Sequence, residues 1–178
     1  MGRNQAKILD SEVLFQGRVF GLRRDRVQEP GGLIATREII LHHGSIVVLP
    51  VFPDGSILLI RQYRHAAGSF LWELVAGHLE RGESKSRGAH RELIEETGYT
   101  ARRLRLLLEI LPSPGFITER MWIYLATGLL KGIARPEDDE RITSKRVSLA
   151  AAERMIRNGT VRDAKSVAGI LFYSRFVK

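Results

Sequence analysis

Apolar and polar residues change their period several times along the chain, and each change marks an element. Residues 8–26 alternate weakly and break at Gly17, which predicts a hairpin of strands 8–16 and 18–26. The stretch from Ser11 to Gly17 looks like a viral-protease cleavage site, but Arg18 follows Gly17 where such a site has proline, so it is read as native strand. A Glu29-Pro30-Gly31-Gly32 turn precedes a third strand over 33–42. Two apolar runs, 45–52 and 56–63, flank Pro53-Asp54-Gly55, a sequence with hairpin-turn chemistry. A further apolar run, 70–76, reads as one buried strand.

After Gly77 the period becomes helical. Residues 84–97 place Ala89, Leu93 and Ile94 on an apolar side, with Gly98 at the C-terminal cap. Strands follow at 103–111 and 121–127, separated by the Pro- and Gly-containing loop 112–120. An acidic turn at 136–140, a last strand at 141–149 and a helix at 150–157 stopped by Asn158-Gly159 come next. Asp163 is placed to cap a final helix, 164–176, whose Val167, Ile170, Leu171 and Ser174 predict its buried side. The order is α/β: a small N-terminal antiparallel β subdomain over 1–43, then a body over 44–178 in which a mixed sheet has a helix on each face, an α/β/α sandwich.

Composition narrows the chemistry more than the fold. The chain has 178 residues, enough for one sizeable core, and its 44% apolar and 27% charged residues are those of a globular protein. It has no Cys, so neither disulfides nor thiolate metal sites arise. No apolar run has the length of a membrane span and no signal-peptide core is seen, which makes a cytoplasmic location the default expectation. The net charge of +8 favours anionic ligands. It is spread over several short clusters, so nucleic acid is not the expected partner.

The acidic residues are concentrated instead. On a helix over 84–97, Glu92, Glu95 and Glu96 fall at i, i+3 and i+4 along one edge. Like charges so placed cost about 0.2–0.5 kcal/mol per pair. Either the edge is a solvated acidic face or a cation is held there. With no Cys and no nearby His, the donors are hard oxygens suited to Mg2+ or Mn2+. A strand, a glycine turn and a carboxylate helix together make a plausible cradle for metal and phosphate. Other polar residues sit where they need explaining. Glu73 lies among Trp72, Leu74 and Val75 and requires a partner or ligand. Arg61 and Arg64 end an otherwise apolar strand, as surface cations or as contacts to an anion, and Arg37 is a weaker candidate of that kind.

Gly77, five residues, Glu83, seven residues, then Arg91-Glu92-Leu93-Ile94-Glu95-Glu96-Thr97-Gly98 resembles the Nudix box, G-x5-E-x7-R-E-U-x-E-E-x-G-U, where U is a bulky aliphatic. Every fixed position agrees, and only the last U departs, being Tyr99. Within that family the chain is most similar to ADP-ribose pyrophosphatases. The antiparallel N-terminal piece resembles the swapped subdomain through which those enzymes form homodimers. A comparable Arg-Gln-aromatic-Arg run occurs in them, and the arginine matching Arg64 contacts substrate.

The resemblance implies a metal shell from Glu92, Glu96, the Ala76 carbonyl and Glu95, with Arg91 orienting the glutamates. It also places a proline sixteen residues past the last box glycine, which Pro114 matches, within a run ending in Glu119. Glu119 is thus expected as general base or metal-shell partner, on a loop able to move, with Glu95 as the alternative base. The implied reaction is Mg2+-dependent hydrolysis of ADP-ribose to AMP and ribose 5-phosphate. The alternatives are another nucleotide sugar such as GDP-mannose, or a module that binds ADP-ribose or RNA without chemistry.

Overall fold

The computed structural model describes residues 5–134 and 141–178; the acidic turn expected at 136–140 lies outside the described residues. The described residues form three sheets. Strands β1 (Lys7–Gln16), β2 (Phe20–Gln28) and β3 (Ile34–His42) form an antiparallel meander. The central mixed sheet has the order β7-β4-β9-β8, built from β4 (Ser45–Pro50), β7 (Val75–His78), β8 (Tyr99–Ile110) and β9 (Met121–Lys131). Its β4 and β9 run parallel, while β4–β7 and β8–β9 are antiparallel. The third sheet is β10-β5-β6, from β5 (Ile57–Arg64), β6 (Ser69–Glu73) and β10 (Thr143–Val147).

The alternation of β4 and β9 divides the core. Ile46, Val48, Trp122 and Tyr124 pack with Ala89 and Leu93 of helix α1 (Lys85–Thr97). Val47, Leu49, Ile123 and Leu125 face the other way and pack with Leu149 and Ala152 of α2 (Leu149–Arg157) and Ile170 and Tyr173 of α3 (Ala164–Phe176). Period 2 in the strands thus supplies both layers of an α/β/α sandwich. Each fully buried Leu or Ile in them contributes about 1.5–3 kcal/mol.

Local chemistry sets the helix ends. Ser84 accepts a hydrogen bond from the Arg87 N–H at the start of α1, and Gly98 closes it in the left-handed region at φ 73°. Ser148 and Asp163 cap α2 and α3 in the same way as Ser84. In the β4–β5 turn, Asp54 accepts from both the N–H and Oγ of Ser56.

Two expectations need correcting. The apolar run 70–76 is not one strand: β6 pairs with β5, β7 pairs with β4, and the chain changes sheets at Leu74. The Leu74 N–H donates to Ser166 Oγ of α3 at 2.7 Å, so the break leaves no buried donor unpaired. The buried side of α3 is also rotated from the expected stripe. Lys165, Ser166, Gly169, Ile170 and Tyr173 are buried, whereas Leu171 is 44% exposed. Hydrophobicity misplaced this face because polar Lys165 and Ser166 find partners inside. Gly169 also lets the helix approach closely, since a Cβ there would lie 2.9 Å from Leu74 Cδ1.

Candidate active site

The break at Leu74 carries the backbone of Ala76 and Gly77 beneath the acidic edge of α1. Glu92 and Glu96 are buried there, and Glu96 accepts a hydrogen bond from the Ala76 N–H at 3.1 Å. A Cβ on Gly77 would lie 2.1 Å from the Glu92 carboxylate, so only glycine lets this strand and that side chain share the space.

Arg91 reaches several of the carboxylates. It donates to both oxygens of Glu83 at 3.1 and 3.0 Å, to Glu92 at 2.6 Å, to Glu95 at 3.0 Å and to the His78 carbonyl at 2.9 Å. The Glu83 bonds are the main cause that drives the Arg91 pKa further up, and Arg91 in turn holds the Glu83 carboxyl below its ordinary range. The repulsion along the helix edge is therefore partly met by an internal cation. Among the described residues, no three His, Asp or Glu side chains converge as a ready metal-binding group. The donor set nevertheless fits a hard divalent ion. It is all oxygen, Glu92 and Glu96 are buried, and the bare Gly77 holds the strand against them.

A pocket of about 200 Å³ opens beside this strand, lined by Ser45, Arg64, Ala76, Gly77, His78, Glu119, Met121 and Lys165. Glu119 accepts from Ser45 Oγ at 2.5 Å, and its Oε1 lies 3.7 Å from His42 Nδ1. The Gly44 N–H donates to that same Nδ1 at 3.0 Å. The end of the Glu119 loop is tied to β3: Thr118 N–H donates to the Ile40 carbonyl, Ile40 N–H to the Phe116 carbonyl, and His42 N–H to Thr118 Oγ1, each at 2.8–2.9 Å. Glu119 is therefore held in place in this conformation, at the junction of the first sheet and the central one.

Of the residues singled out from sequence, Arg64, Ala76 and Glu119 line one pocket, and Glu92 and Glu96 support its wall. Glu95 lies on the more open edge of α1, bonded to Arg91. Glu73 is 1% exposed and lies behind the pocket wall. Burial would raise its pKa, but the paired bonds from Arg64 (2.9 and 2.8 Å) and the Lys165 ammonium outweigh that and hold it below its usual value. Arg37 is not brought to the pocket; it pairs with Glu29 of the β2–β3 turn at 2.5 Å.

Sequence reasoning missed Ser45, His42, His78 and Lys165. The expectation of no nearby histidine fails, since His78 lines the pocket and its ring lies 5.1 Å from that of His42. Only Lys165 carried a local signal, as a cation in the first turn of a capped helix.

A family model described as the NUDIX domain matches residues 41–169. The chain belongs to the Nudix family. Among Nudix relatives, an ADP-ribose pyrophosphatase of Mycobacterium tuberculosis is 38% identical over 96% of this chain and 84% of the relative. Another of that name, from Bacillus subtilis, is 35% identical over 94% of this chain and 92% of its own length. A crystal structure described as an ADP compounds hydrolase superposes with a TM-score of 0.84 at 22% identity, covering 99% of this chain and 96% of that one. That likeness supports the shared fold.

Proposed function

We propose that this Nudix hydrolase cleaves the pyrophosphate bond of ADP-ribose to AMP and ribose 5-phosphate, using Mg2+ or Mn2+. The observation that carries this reading is the single pocket in which Arg64 and Glu119 meet the Ala76–Gly77 strand, itself backed by Glu92 and Glu96. The names of the relatives point to the same substrate. Glu92, Glu96, the Ala76 carbonyl and Glu95 would hold the divalent cation. When bound, it supplies the positive charge that a diphosphate needs on cleavage and makes a water more acidic.

The remaining work falls to the chain's own residues. Arg64 binds a phosphoryl oxygen through the N–H groups of Nη1 and Nη2 that its paired bonds to Glu73 leave over. Glu119 accepts the proton of the attacking water, with Ser45 fixing its carboxylate; Glu95 is the second candidate. Arg91 keeps Glu92 and Glu95 in place.

We further propose that residues 1–43 serve dimerisation and 44–178 hydrolysis. All of β1 is exposed, including Val13 at 61% and Phe15 at 51%, and an apolar strand of this kind calls for cover by a second copy. Arg37 remains a substrate candidate only across such an interface. Among the described residues, no helix is long and apolar enough to cross a membrane.

The test is a panel of nucleoside diphosphate compounds, ADP-ribose and GDP-mannose among them, with each metal and with product identification. AMP and ribose 5-phosphate from ADP-ribose as the best substrate is the expected result. Preference for GDP-mannose would overturn the substrate, and binding of ADP-ribose or RNA without any phosphate-ester product would overturn the activity.

A further inference from the structure

Lys165 breaks two rules of helix construction. It stands in the first turn of α3, where the unpaired N–H groups make the positive end of the helix dipole and a cation is unfavourable. It is also only 9% exposed, and burying an ammonium is costly unless partners repay the lost hydration. An apolar side chain there would meet neither penalty.

Its partners do not by themselves account for it. The ammonium bonds Glu73 and, at 2.8 Å, Asp163. Glu73 already has a two-bond pairing with Arg64, and Asp163 already caps the Ser166 N–H at 3.1 Å. An uncharged cap would do the latter without calling for a lysine. The effect of the arrangement is to fix two cations, one from β5 and one from α3, on one buried carboxylate at the wall of the pocket that also holds Ala76, Gly77 and Glu119. An ammonium has three hydrogens, and Glu73 and Asp163 take two.

We propose that Lys165 is a substrate-binding residue whose third hydrogen bonds a non-bridging phosphoryl oxygen of a nucleoside diphosphate compound, beside Arg64. This rests on the hydrolase reading above. Glu73 and Asp163 then set the position of the ammonium, and the C-terminal helix contributes directly to the active site instead of only covering the sheet.

The test uses the full chain, with wild-type turnover of ADP-ribose measured first. No turnover of any diphosphate compound by the wild type would defeat the hydrolase reading itself. With an active wild type, Lys165→Met should weaken binding of α,β-methylene ADP-ribose about tenfold or more, while Lys165→Arg, which retains the charge, should recover part of that loss. Unchanged affinity in a folded Lys165→Met protein would overturn the proposal. A measurement that needs no variant is the NMR signal of the Lys165 ε-CH2 in protein labelled at lysine. It should shift on saturation with the analogue, and a signal that does not move would also overturn the proposal.

Discussion

Gly77 has no side chain, and the Glu92 carboxylate occupies the place where one would be. Gly77→Ala should therefore force strand and helix apart, costing about 1–3 kcal/mol of stability in urea titration and lowering turnover well beyond that loss. Glu96 makes a different kind of contact, a hydrogen bond to the Ala76 N–H that an amide oxygen can also accept. Glu96→Gln should thus keep the fold by circular dichroism while turnover falls by orders of magnitude; near-normal rates at saturating Mg2+ would contradict the metal-site assignment. Glu119→Gln should lower kcat with little change in KM, and an unchanged pH profile would transfer the base role to Glu95. The box glutamates were legible in the sequence because a helix converts fixed spacing into a shared edge. Ser45 and His42 were not, because they reach Glu119 only when β3, β4 and the loop between β8 and β9 come together.

At the scale of elements, the change of sheet at Leu74 decides where the site lies. If β6 ran on unbroken, Ala76 and Gly77 would stay paired beyond Glu73 and not beneath α1. Nothing in 70–76 marks the break, since the run is apolar apart from Glu73 and has no Gly or Pro to punctuate it. Its cause is distant: Ser166 of α3 receives the Leu74 N–H. Ser166→Ala would strand that buried donor, and a loss of about 1–3 kcal/mol in urea-denaturation stability is expected, with a lowered kcat if the break also shifts. The same helix shows why its buried side was misjudged. Periodicity counts apolar residues, whereas α3 turns inward on Lys165 and Ser166, whose partners lie on other elements.

For the whole molecule, the two-sided sandwich was legible because β4 and β9 are apolar on both faces and helical spacing occurs between them and again after β9. Assembly and acid stability are the properties that belong to this scale. If the proposed dimer forms through β1, the wild type should sediment as a dimer and replacement of Val13 and Phe15 by Lys should shift it to a monomer; a wild type that sediments as a monomer would overturn that proposal. The buried Glu73 has a folded-state pKa below its ordinary 4.5, so its stabilising contribution is complete above that pH and is lost as pH falls through the lowered value. The urea midpoint of the wild type should accordingly fall more steeply below about pH 4.5 than that of Glu73→Gln.

The central claim is that the box carboxylates hold a divalent cation against a diphosphate, and the most direct measurement is a crystal structure with Mn2+ and α,β-methylene ADP-ribose. Anomalous density for manganese touching Glu92, Glu96 and the Ala76 carbonyl, with the analogue's phosphates next to Arg64, is the predicted result. Manganese elsewhere, or an analogue remote from these residues, would contradict it.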